Sequence, residues 1–266
     1  MNDNRRRNFD RAPVQEIEGQ LEGRNALTEA LKSGRTIDKV FIAAGETDRG
    51  LQRLAAQAKE AGAVVVPVDR RKLDAMSVTR AHQGVITLAA AHDYATIDDI
   101  FAEAESRGEA PLIVICDELT DPHNLGAILR SGECAGAHGV IIPKRRSVGL
   151  TAVVAKASAG AVEYMKVARV TNITAAIEEL KKRGVWIFGT AAEGSIPMYR
   201  ADLKGPTAIV IGSEGDGMSR LVRQSCDVTV HIPMKGRINS LNASAAASIL
   251  LYEAVRQRLE VSNGSK

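Results

Sequence analysis

The chain has 266 residues, of which 45% are hydrophobic and 25% are charged. This composition is ordinary for a soluble globular protein, and the length suits two domains better than one. No apolar run approaches the roughly 18 residues of a membrane-spanning helix, and the first residues lack the apolar core of a secretory signal, so a cytoplasmic protein is expected. The net charge of +3 and the pI near 8.8 permit a polyanionic partner without requiring one.

Cysteine and histidine usage argues against disulfides and metals. The three cysteines are far apart and odd in number, which suits a reducing compartment. Cys116 lies in an apolar run and Cys134 lies among alanines, so we expect both in the core. The five histidines are scattered, and none pairs with a cysteine at zinc-ligand spacing. We therefore expect no metal site.

The first part of the chain predicts a basic arm and a small domain. Residues 1–14 are polar and rich in arginine, without helical or strand periodicity, so a disordered arm is expected. Residues 15–92 alternate between helical and strand patterns, which predicts a separate α/β domain. Residues 93–110 are interpreted as a linker that contains a helical stretch over 96–105.

A second α/β domain is predicted over residues 111–262. It opens with Leu112–Cys116, a fully apolar run typical of a parallel strand that is covered on both faces. Helices and strands then alternate, so we expect a parallel sheet with right-handed crossovers. The predicted strands are 139–142, 163–167, 185–189, 208–211 and 228–232, and the predicted helices are 124–135, 150–157, 173–183, 218–224 and 242–258.

A glycine-rich loop, G-S-E-G-D-G, follows the strand predicted at 208–211. It matches neither the dinucleotide fingerprint nor the P-loop, which also disfavours a nicotinamide-dependent oxidoreductase. Glu214 and Asp216 would repel phosphate from a helix N-terminus. A neutral adenosyl group or a cationic ligand fits these charges better than a polyphosphate nucleotide. A tight strand-to-helix turn without any ligand is the alternative.

Two further polar loops follow apolar strands, where open α/β sheets bind ligands. Asn124 lies at the mouth of a helix, and Arg130 follows nearly two turns later, which we expect on the same face. An arginine there can bind phosphate or a sugar hydroxyl, although a capping asparagine and a surface arginine are the alternative. Asn242 and Ser244 either cap the last helix or face a ligand.

No Ser/His/Asp triad or Cys/His pair is evident in these loops, so hydrolysis through a covalent intermediate has no obvious nucleophile. Group transfer between two positioned reactants is the better class. The basic run Lys144-Arg145-Arg146 is either a solvated loop or an RNA contact.

Three motifs together resemble those of the SpoU (TrmH) branch of the SPOUT RNA methyltransferases. They are N-L-G-A-I-L-R (124–130), I-V-I-G-S-E-G-D-G-M (209–218) and I-P-M…S-L-N-A-S-A-A-A (232–247). The N-terminal domain, through H-Q-G-V (82–85), resembles the small substrate-binding domain of rRNA guanosine 2′-O-methyltransferases. The resemblance implies an α/β fold with a C-terminal knotted (trefoil) parallel-sheet domain and a small N-terminal α/β substrate-binding domain.

The same resemblance implies a function: methyl transfer from S-adenosylmethionine to a ribose 2′-hydroxyl of a guanosine in large-subunit rRNA, by a homodimer formed through the C-terminal domain. Two alternatives are a tRNA ribose methyltransferase of the same family and a non-catalytic RNA-binding module. Because a guanidinium stays protonated, with a pKa above ~12, Arg130 is expected to stabilise the developing alkoxide and not to remove the proton.

The residues that match the motifs carry the implied roles. Those expected in catalysis are Asn124, Arg130, Glu214, Ser240 and Asn242. Those expected to contact the cofactor are Thr190, Ala191, Ile211, Gly212, Ile232, Leu241, Asn242 and Ser244. Those expected to contact RNA are Lys144, Arg145 and Arg146.

Overall fold

The computed structural model describes residues 19–45, 47–191 and 195–264, and the chain separates into two compact units. Unit 1 ends at Ala89 and unit 2 begins at Ala90. The basic arm predicted over residues 1–14 lies outside the described residues. In the part of the chain that is described, no helix combines the length and the apolar character needed to cross a membrane.

Unit 1 is a four-stranded mixed sheet with three helices. Its sheet order is β1-β4-β2-β3, with β2 parallel to β3 and antiparallel to β4, which is in turn antiparallel to β1. The carboxyl ends of β1, β2 and β3 therefore share one edge of the sheet with the amino end of β4. Its elements are β1 (Gln20–Glu22), α1 (Arg24–Lys32), β2 (Ile37–Ala43), α2 (Arg49–Glu60), β3 (Val64–Val68), α3 (Arg70–Met76) and β4 (Val85–Ala89).

Unit 2 is built on a seven-stranded parallel sheet of order β7-β6-β5-β10-β8-β11-β9. Its strands are β5 (Leu112–Cys116), β6 (Gly139–Pro143), β7 (Lys166–Val170), β8 (Trp186–Thr190), β9 (Ile196–Pro197), β10 (Thr207–Ile211) and β11 (Val228–His231). Its helices are α4 (Ile97–Arg107), α5 (Pro122–Cys134), α6 (Ala152–Ala157), α7 (Ile173–Lys182), α8 (Arg220–Ser225) and α9 (Ala243–Gly264).

Helices cover both faces of this sheet, because its central strands are apolar on both sides. Along β5, Val114 and Cys116 face the core formed with α5, α6 and α9, whereas Ile113 and Ile115 face the core formed with α4, α7 and α8. This alternation follows from the two-residue period of a strand. The predicted parallel α/β architecture is confirmed.

Several boundaries differ from the prediction. The strand predicted at 163–167 begins at Lys166, because residues 161–163 form a 3₁₀ turn after Gly160, which adopts a φ of 90°. The helical stretch predicted at 96–105 is found as α4 over Ile97–Arg107, and its Ile100 is fully buried in the core of unit 2. Cys134 is exposed at the last turn of α5, so its expected place in the core is wrong.

The sheet order brings the polar loops together. The chain passes from β5 to β6 on one side, whereas β10 pairs with the opposite side of β5. The loops after β5 and β10 therefore leave the sheet next to each other. This is the kind of switch point at which open α/β sheets bind ligands.

Candidate active site

Three side chains from separate parts of the chain form a hydrogen-bonded trio at this edge: Asn124 in the first turn of α5, Glu214 in the loop after β10, and Asn242 just before α9. Asn124 Nδ2 donates to Glu214 Oε1 at 2.8 Å. Asn242 Nδ2 donates to Asn124 Oδ1 at 2.8 Å and to Glu214 Oε1 at 2.6 Å. The two amides therefore orient one carboxylate oxygen, and bonds to an ionised acceptor are stronger than those between neutral groups.

The start of α5 explains why Asn124 is buried. Asp121 caps the helix by accepting from His123 N at 2.9 Å, and Pro122 occupies the first turn, where its missing N–H costs nothing. Gly126 lies so close to Ala157 that any larger residue would collide with α6. Asn124 is consequently only 3% exposed, and its amide can reach only the neighbouring loop.

Glu214 is presented by a tight turn. Ser213 and Gly217 pair through both backbone hydrogen bonds, at 3.0 and 3.1 Å, and Gly217 adopts a φ of 67°. A side chain at Gly212 would strike the backbone of Gly217 and Met218. Gly212 is therefore required by the packing of its own loop, which is a different reason from the close ligand approach that its sequence suggests.

Asp117 anchors the other end of the same loop, a role that the sequence analysis did not assign. Its Oδ2 accepts from Ser219 N at 2.7 Å, and its own N–H donates to Ile211 O at 2.8 Å. The side chain is 4% exposed. The available signal was its position: a carboxylate placed directly after a buried strand.

Asn242 caps α9 and also joins the trio, whereas its contact with a ligand stays a prediction. Its Oδ1 accepts from Ser244 N at 3.0 Å and from Ala245 N at 3.3 Å, which caps α9. Its Nδ2 remains available for the trio. Ser244 Oγ donates to the same Oδ1 at 2.6 Å, so Ser244 supports the cap.

Arg130 does not join the trio. It is exposed, and it makes no hydrogen bond or ion pair with any residue that the structure describes. Six residues advance a helix by about 600°, which leaves Arg130 about 120° away from Asn124 around the axis. The two residues therefore leave α5 in different directions, and joint action of Arg130 with Asn124 stays a prediction. Ser240 is exposed as well and contributes to the wall of a nearby cavity.

A cavity of about 360 Å³ lies beside the trio, between β8, β11 and the start of α9. Four residues expected at the cofactor line it: Thr190, Ala191, Ile232 and Leu241. Four others expected there do not line it: Ile211, Gly212, Asn242 and Ser244. The cavity is also lined by six residues that no sequence motif indicated: Val230, His231, Met234, Asn239, Ala246 and Leu250. The wall of the cavity is largely apolar and carries a few polar groups, as in most ligand-binding sites.

The basic run follows β6 at the same edge of the sheet. Arg145 and Arg146 are exposed and Lys144 is half-buried. Arg146 pairs with Glu118, with 3.0 Å between Nη1 and Oε1. Both residues of this pair adopt positive φ values, 55° and 56°. Such conformations are uncommon for residues other than glycine and cluster at functional sites.

The site contains no thiol suited to attack on a substrate. Cys116 ends β5 directly below the trio, and burial raises the pKa of its thiol to about 12, with nearby Asp117 adding to the effect. A thiolate nucleophile is therefore absent at neutral pH. Within the described ranges, no cluster of three or more His, Cys, Asp or Glu side chains is arranged to hold a metal ion.

A parallel α/β sheet with a polar trio beside an apolar cavity at its carboxyl edge defines an enzyme that positions ligands for group transfer. Comparison with known families identifies it further. Residues 111–252 match the SpoU rRNA methylase family, and residues 20–95 match the RNA 2′-O ribose methyltransferase substrate-binding domain. The chain belongs to the SpoU rRNA methylase family.

Curated relatives agree with this membership over nearly their whole lengths. YacO of Bacillus subtilis (strain 168), assigned to the TrmH family of tRNA/rRNA methyltransferases, is 49% identical over 89% of this chain and 94% of its own. The 23S rRNA (guanosine-2′-O-)-methyltransferase RlmB of Ralstonia nicotianae is 45% identical over 90% of this chain and 95% of its own.

Solved structures show the same fold. The SpoU methyltransferase AviRb from Streptomyces viridochromogenes, in complex with AdoMet, is 26% identical, with a TM-score of 0.58 over 90% of each chain. The AdoMet-bound rRNA methyltransferase from Sinorhizobium meliloti is 25% identical, with a TM-score of 0.55 over 89% of this chain and 86% of that one. The chain is thus an S-adenosylmethionine-dependent RNA 2′-O-methyltransferase, which confirms the predicted family, enzyme class and cofactor.

Proposed function

We propose that this enzyme methylates the ribose 2′-hydroxyl of a guanosine in large-subunit rRNA. The Asn124–Glu214–Asn242 trio beside the cavity carries the proposal, because it supplies an ordered polar surface next to a space for a donor. The 45% identity to the 23S rRNA guanosine methyltransferase over nearly the full length supports the choice of RNA. In this proposal residues 15–92 bind RNA, residues 93–110 connect, and residues 111–262 catalyse.

The cavity suits S-adenosylmethionine. Ile232, Leu241 and Leu250 offer apolar surface for an adenine ring, and the backbone around Thr190 and Ala191 offers polar groups at its rim. The bound cofactor supplies a methyl group on a cationic sulfonium. Glu214 contributes negative charge near that space, which favours a cation and disfavours phosphate. Ile211, Gly212 and Ser244 support the walls through the loops that they stabilise.

The trio acts by positioning. Asn124 and Asn242 hold Glu214 in one rotamer. Ser240 lies in the loop that precedes Asn242, where it lines the cavity. Arg130, exposed on α5, acts as an electrostatic clamp on the developing 2′-alkoxide and on an adjacent phosphate. Because a guanidinium normally stays protonated, the proposal favours this clamp over proton removal by Arg130 itself.

The proposal includes a homodimer formed through unit 2. Exposed apolar side chains on α9, Ile249 and Tyr252, support a covered surface, since such residues on a helix favour an interface. Arg130 lies on α5, which packs against α9 through the Ser131–Ser248 hydrogen bond of 2.7 Å. A second subunit bound to this surface would bring its candidate active site close to Arg130. The proposal also includes the C-terminal trefoil knot that the family resemblance implies, in which the chain threads through a loop to form the cofactor pocket.

Lys144, Arg145 and Arg146 are proposed to contact the RNA backbone. They lie at the same sheet edge as the trio, and the Glu118–Arg146 pair is exposed enough that a phosphate can displace it at little cost. The strained backbone of both partners supports a loop shaped for binding.

The decisive experiment is tritiated methyl transfer from S-adenosylmethionine to separate fractions of unmodified rRNA and tRNA, followed by mapping of the methylated riboses. Incorporation at one guanosine of large-subunit rRNA is the expected result. Incorporation into tRNA alone would replace the rRNA assignment, and no incorporation into any RNA would overturn the proposal. An Arg130→Ala enzyme with unchanged transfer would remove Arg130 from the mechanism, whereas Arg130→Lys should retain part of the activity.

A further inference from the structure

The loop formed by residues 77–83, between α3 and β4 of unit 1, is strained and rigid. Arg80 and Gln83 adopt φ values of 59° and 50°, in the left-handed region that disfavours residues with a Cβ. Such conformations persist only where the surroundings impose them, and they cluster at functional sites.

Glu22, at the end of β1, holds the first half of the 77–83 loop. Its carboxylate accepts from Ser77 Oγ at 2.6 Å, Val78 N at 2.7 Å and Thr79 Oγ1 at 2.5 Å. Burial by itself would raise the pKa of Glu22, but these hydrogen bonds outweigh it and lower the pKa to about 2. Ser77 Oγ in turn accepts from Arg80 N at 2.9 Å, which fixes the strained residue.

His82 and Arg24 hold the second half. His82 is 4% exposed; its Nδ1 accepts from Gly84 N at 3.1 Å, and its Nε2 lies 2.9 Å from Asp74 Oδ1. Arg24 donates through its backbone N to Gln83 Oε1 at 3.2 Å. The loop is thus tied at both ends to the sheet and to two helices, while the Arg80 side chain remains exposed.

The edge around the loop is cationic. The carboxyl ends of β2 and β3 bring the first residues of α2 and α3 to it, so that exposed Arg49, Arg70 and Arg71 lie at the same edge of the sheet as Arg80. The neighbouring carboxylates each have a partner within the protein: Asp48 pairs with Arg24 at 2.7 Å, Asp69 caps α3, and Asp74 contacts His82. The charge left facing outward is positive, which favours a polyanion.

We propose that the 77–83 loop is the RNA-contacting element of unit 1, in which Arg80 binds a backbone phosphate and Arg49, Arg70 and Arg71 flank it. This inference rests on the proposed function, because it takes the substrate RNA as the polyanion. A rigid loop binds without an ordering cost, since its conformation is already set by Glu22 and His82. The strain at Arg80 is the consequence of placing a guanidinium at a position that glycine would occupy more easily.

The Arg80→Gly variant distinguishes a role of Arg80 in RNA binding from a role in the structure of the loop. Glycine relieves the left-handed conformation and removes the guanidinium, so the melting temperature should stay the same or rise. The dissociation constant for the substrate rRNA, measured by fluorescence anisotropy, should rise about tenfold, and the slope of log K against log salt should become shallower by about 0.7 to 0.9. Unchanged values of both RNA readouts, whatever the melting temperature does, would overturn the proposal.

Lys59→Ala is the matched control. Lys59 is an exposed cation near the end of α2, at the opposite edge of unit 1, so its removal should leave RNA affinity within twofold of the wild type. Equal losses from Arg80→Gly and Lys59→Ala would reduce the effect to net charge and overturn the assignment. Glu22→Gln, which replaces an acceptor oxygen by an amide, should loosen the loop and weaken RNA binding without changing S-adenosylmethionine affinity.

The outcomes distinguish this inference from the proposed function. If the wild type methylates no RNA but Arg80→Gly still weakens rRNA binding selectively, the proposed reaction fails and the contact stands. If the wild type methylates rRNA and Arg80→Gly binds it with unchanged affinity and salt slope, the contact fails and the reaction stands.

Discussion

Asn124 and Glu214 are joined by a hydrogen bond of 2.8 Å across ninety residues of sequence, and one partner is buried while the other faces solvent. The buried amide has little freedom, because α6 and the first turn of α5 enclose it. Glu214 therefore accepts one hydrogen bond from the buried Asn124 and a second from Asn242. A carboxylate oriented in this way can influence a cation in the adjacent cavity without touching the acceptor nucleoside.

Changing Asn124 tests this orientation. Asn124→Asp replaces the donor with a second carboxylate beside Glu214, so repulsion should displace the Glu214 side chain. We expect the rate of methyl transfer to fall by about 10² to 10³-fold, the range found when one positioned polar group is removed from an active site. Single-turnover kinetics with saturating RNA measure this rate of methyl transfer. Asn124→Asp with wild-type turnover would contradict a role for the trio.

Asp117 provides a separate test of the loop. Asp117→Ala leaves the Ser219 N–H without its acceptor, which costs about 1–3 kcal/mol if the group stays buried. Asp117→Asn keeps an oxygen that can accept and should recover most of the stability. Both should lower methyl transfer more than RNA affinity, because the Glu214 loop is disturbed and the RNA surfaces are not. Denaturant unfolding and RNA binding on the same preparations distinguish the two effects.

The cavity makes a prediction with an internal control. Ala246 lines the cavity, whereas Ala245, the next residue of α9, is exposed and does not. Ala246→Leu adds a branched side chain to the cavity and should weaken S-adenosylmethionine binding at least tenfold, while Ala245→Leu should leave it unchanged. Isothermal titration calorimetry gives both constants. Equal affinities for the two variants would place the cofactor elsewhere.

The loop between β6 and α6 predicts a salt dependence. Arg145→Ala removes one exposed cation at the active edge, and the salt slope of RNA binding should decrease by about 0.7 to 0.9 if that cation contacts a phosphate. Lys182→Ala is the control, since Lys182 is exposed at the end of α7, at the opposite edge of the sheet. The same decrease in both variants would argue for a general charge effect.

The sequence predicted elements well where periodicity was strong. The apolar run at 112–116 and the helix after Asp121 are found as expected, because a strand buried on both faces and a capped helix leave local marks. β9, two residues long with Pro197, leaves no such mark. The strand predicted from Glu163 begins only at Lys166, since residues 161–163 form a 3₁₀ turn.

The candidate site was predictable only in part, because contacts between loops depend on the order of strands. Motif resemblance pointed to Asn124, Glu214 and Asn242, and these three lie in contact. It gave no means of seeing that Asp117 holds Ser219 or that His231 and Met234 line the cavity. Those contacts arise from the pairing of β5 with β10 and of β8 with β11, between segments far apart in sequence.

His138 links the stability of unit 2 to pH. The side chain is fully buried; its Nδ1 accepts from Leu112 N at 2.9 Å, and its Nε2 lies 3.0 Å from Glu109 Oε2. Burial lowers the pKa of His138 below its ordinary value of 6.5, although the hydrogen bond to Glu109 opposes this. The folded protein therefore binds fewer protons here than the unfolded chain does, so stability should be complete above about pH 7 and decrease as the pH falls through 6.5.

Urea unfolding at pH 8 and at pH 5.5, followed by the fluorescence of Trp186, measures this effect in the unit that contains His138, because Trp186 is the single tryptophan. The wild type should lose stability at the lower pH. His138→Gln, which can still accept from Leu112 N but cannot titrate, should lose less. His123→Gln, a change at an exposed position on α5, should behave as the wild type does. His138→Gln removes one titratable side chain and no other. If this variant retains the full wild-type pH dependence, the proton uptake on unfolding therefore belongs to other groups.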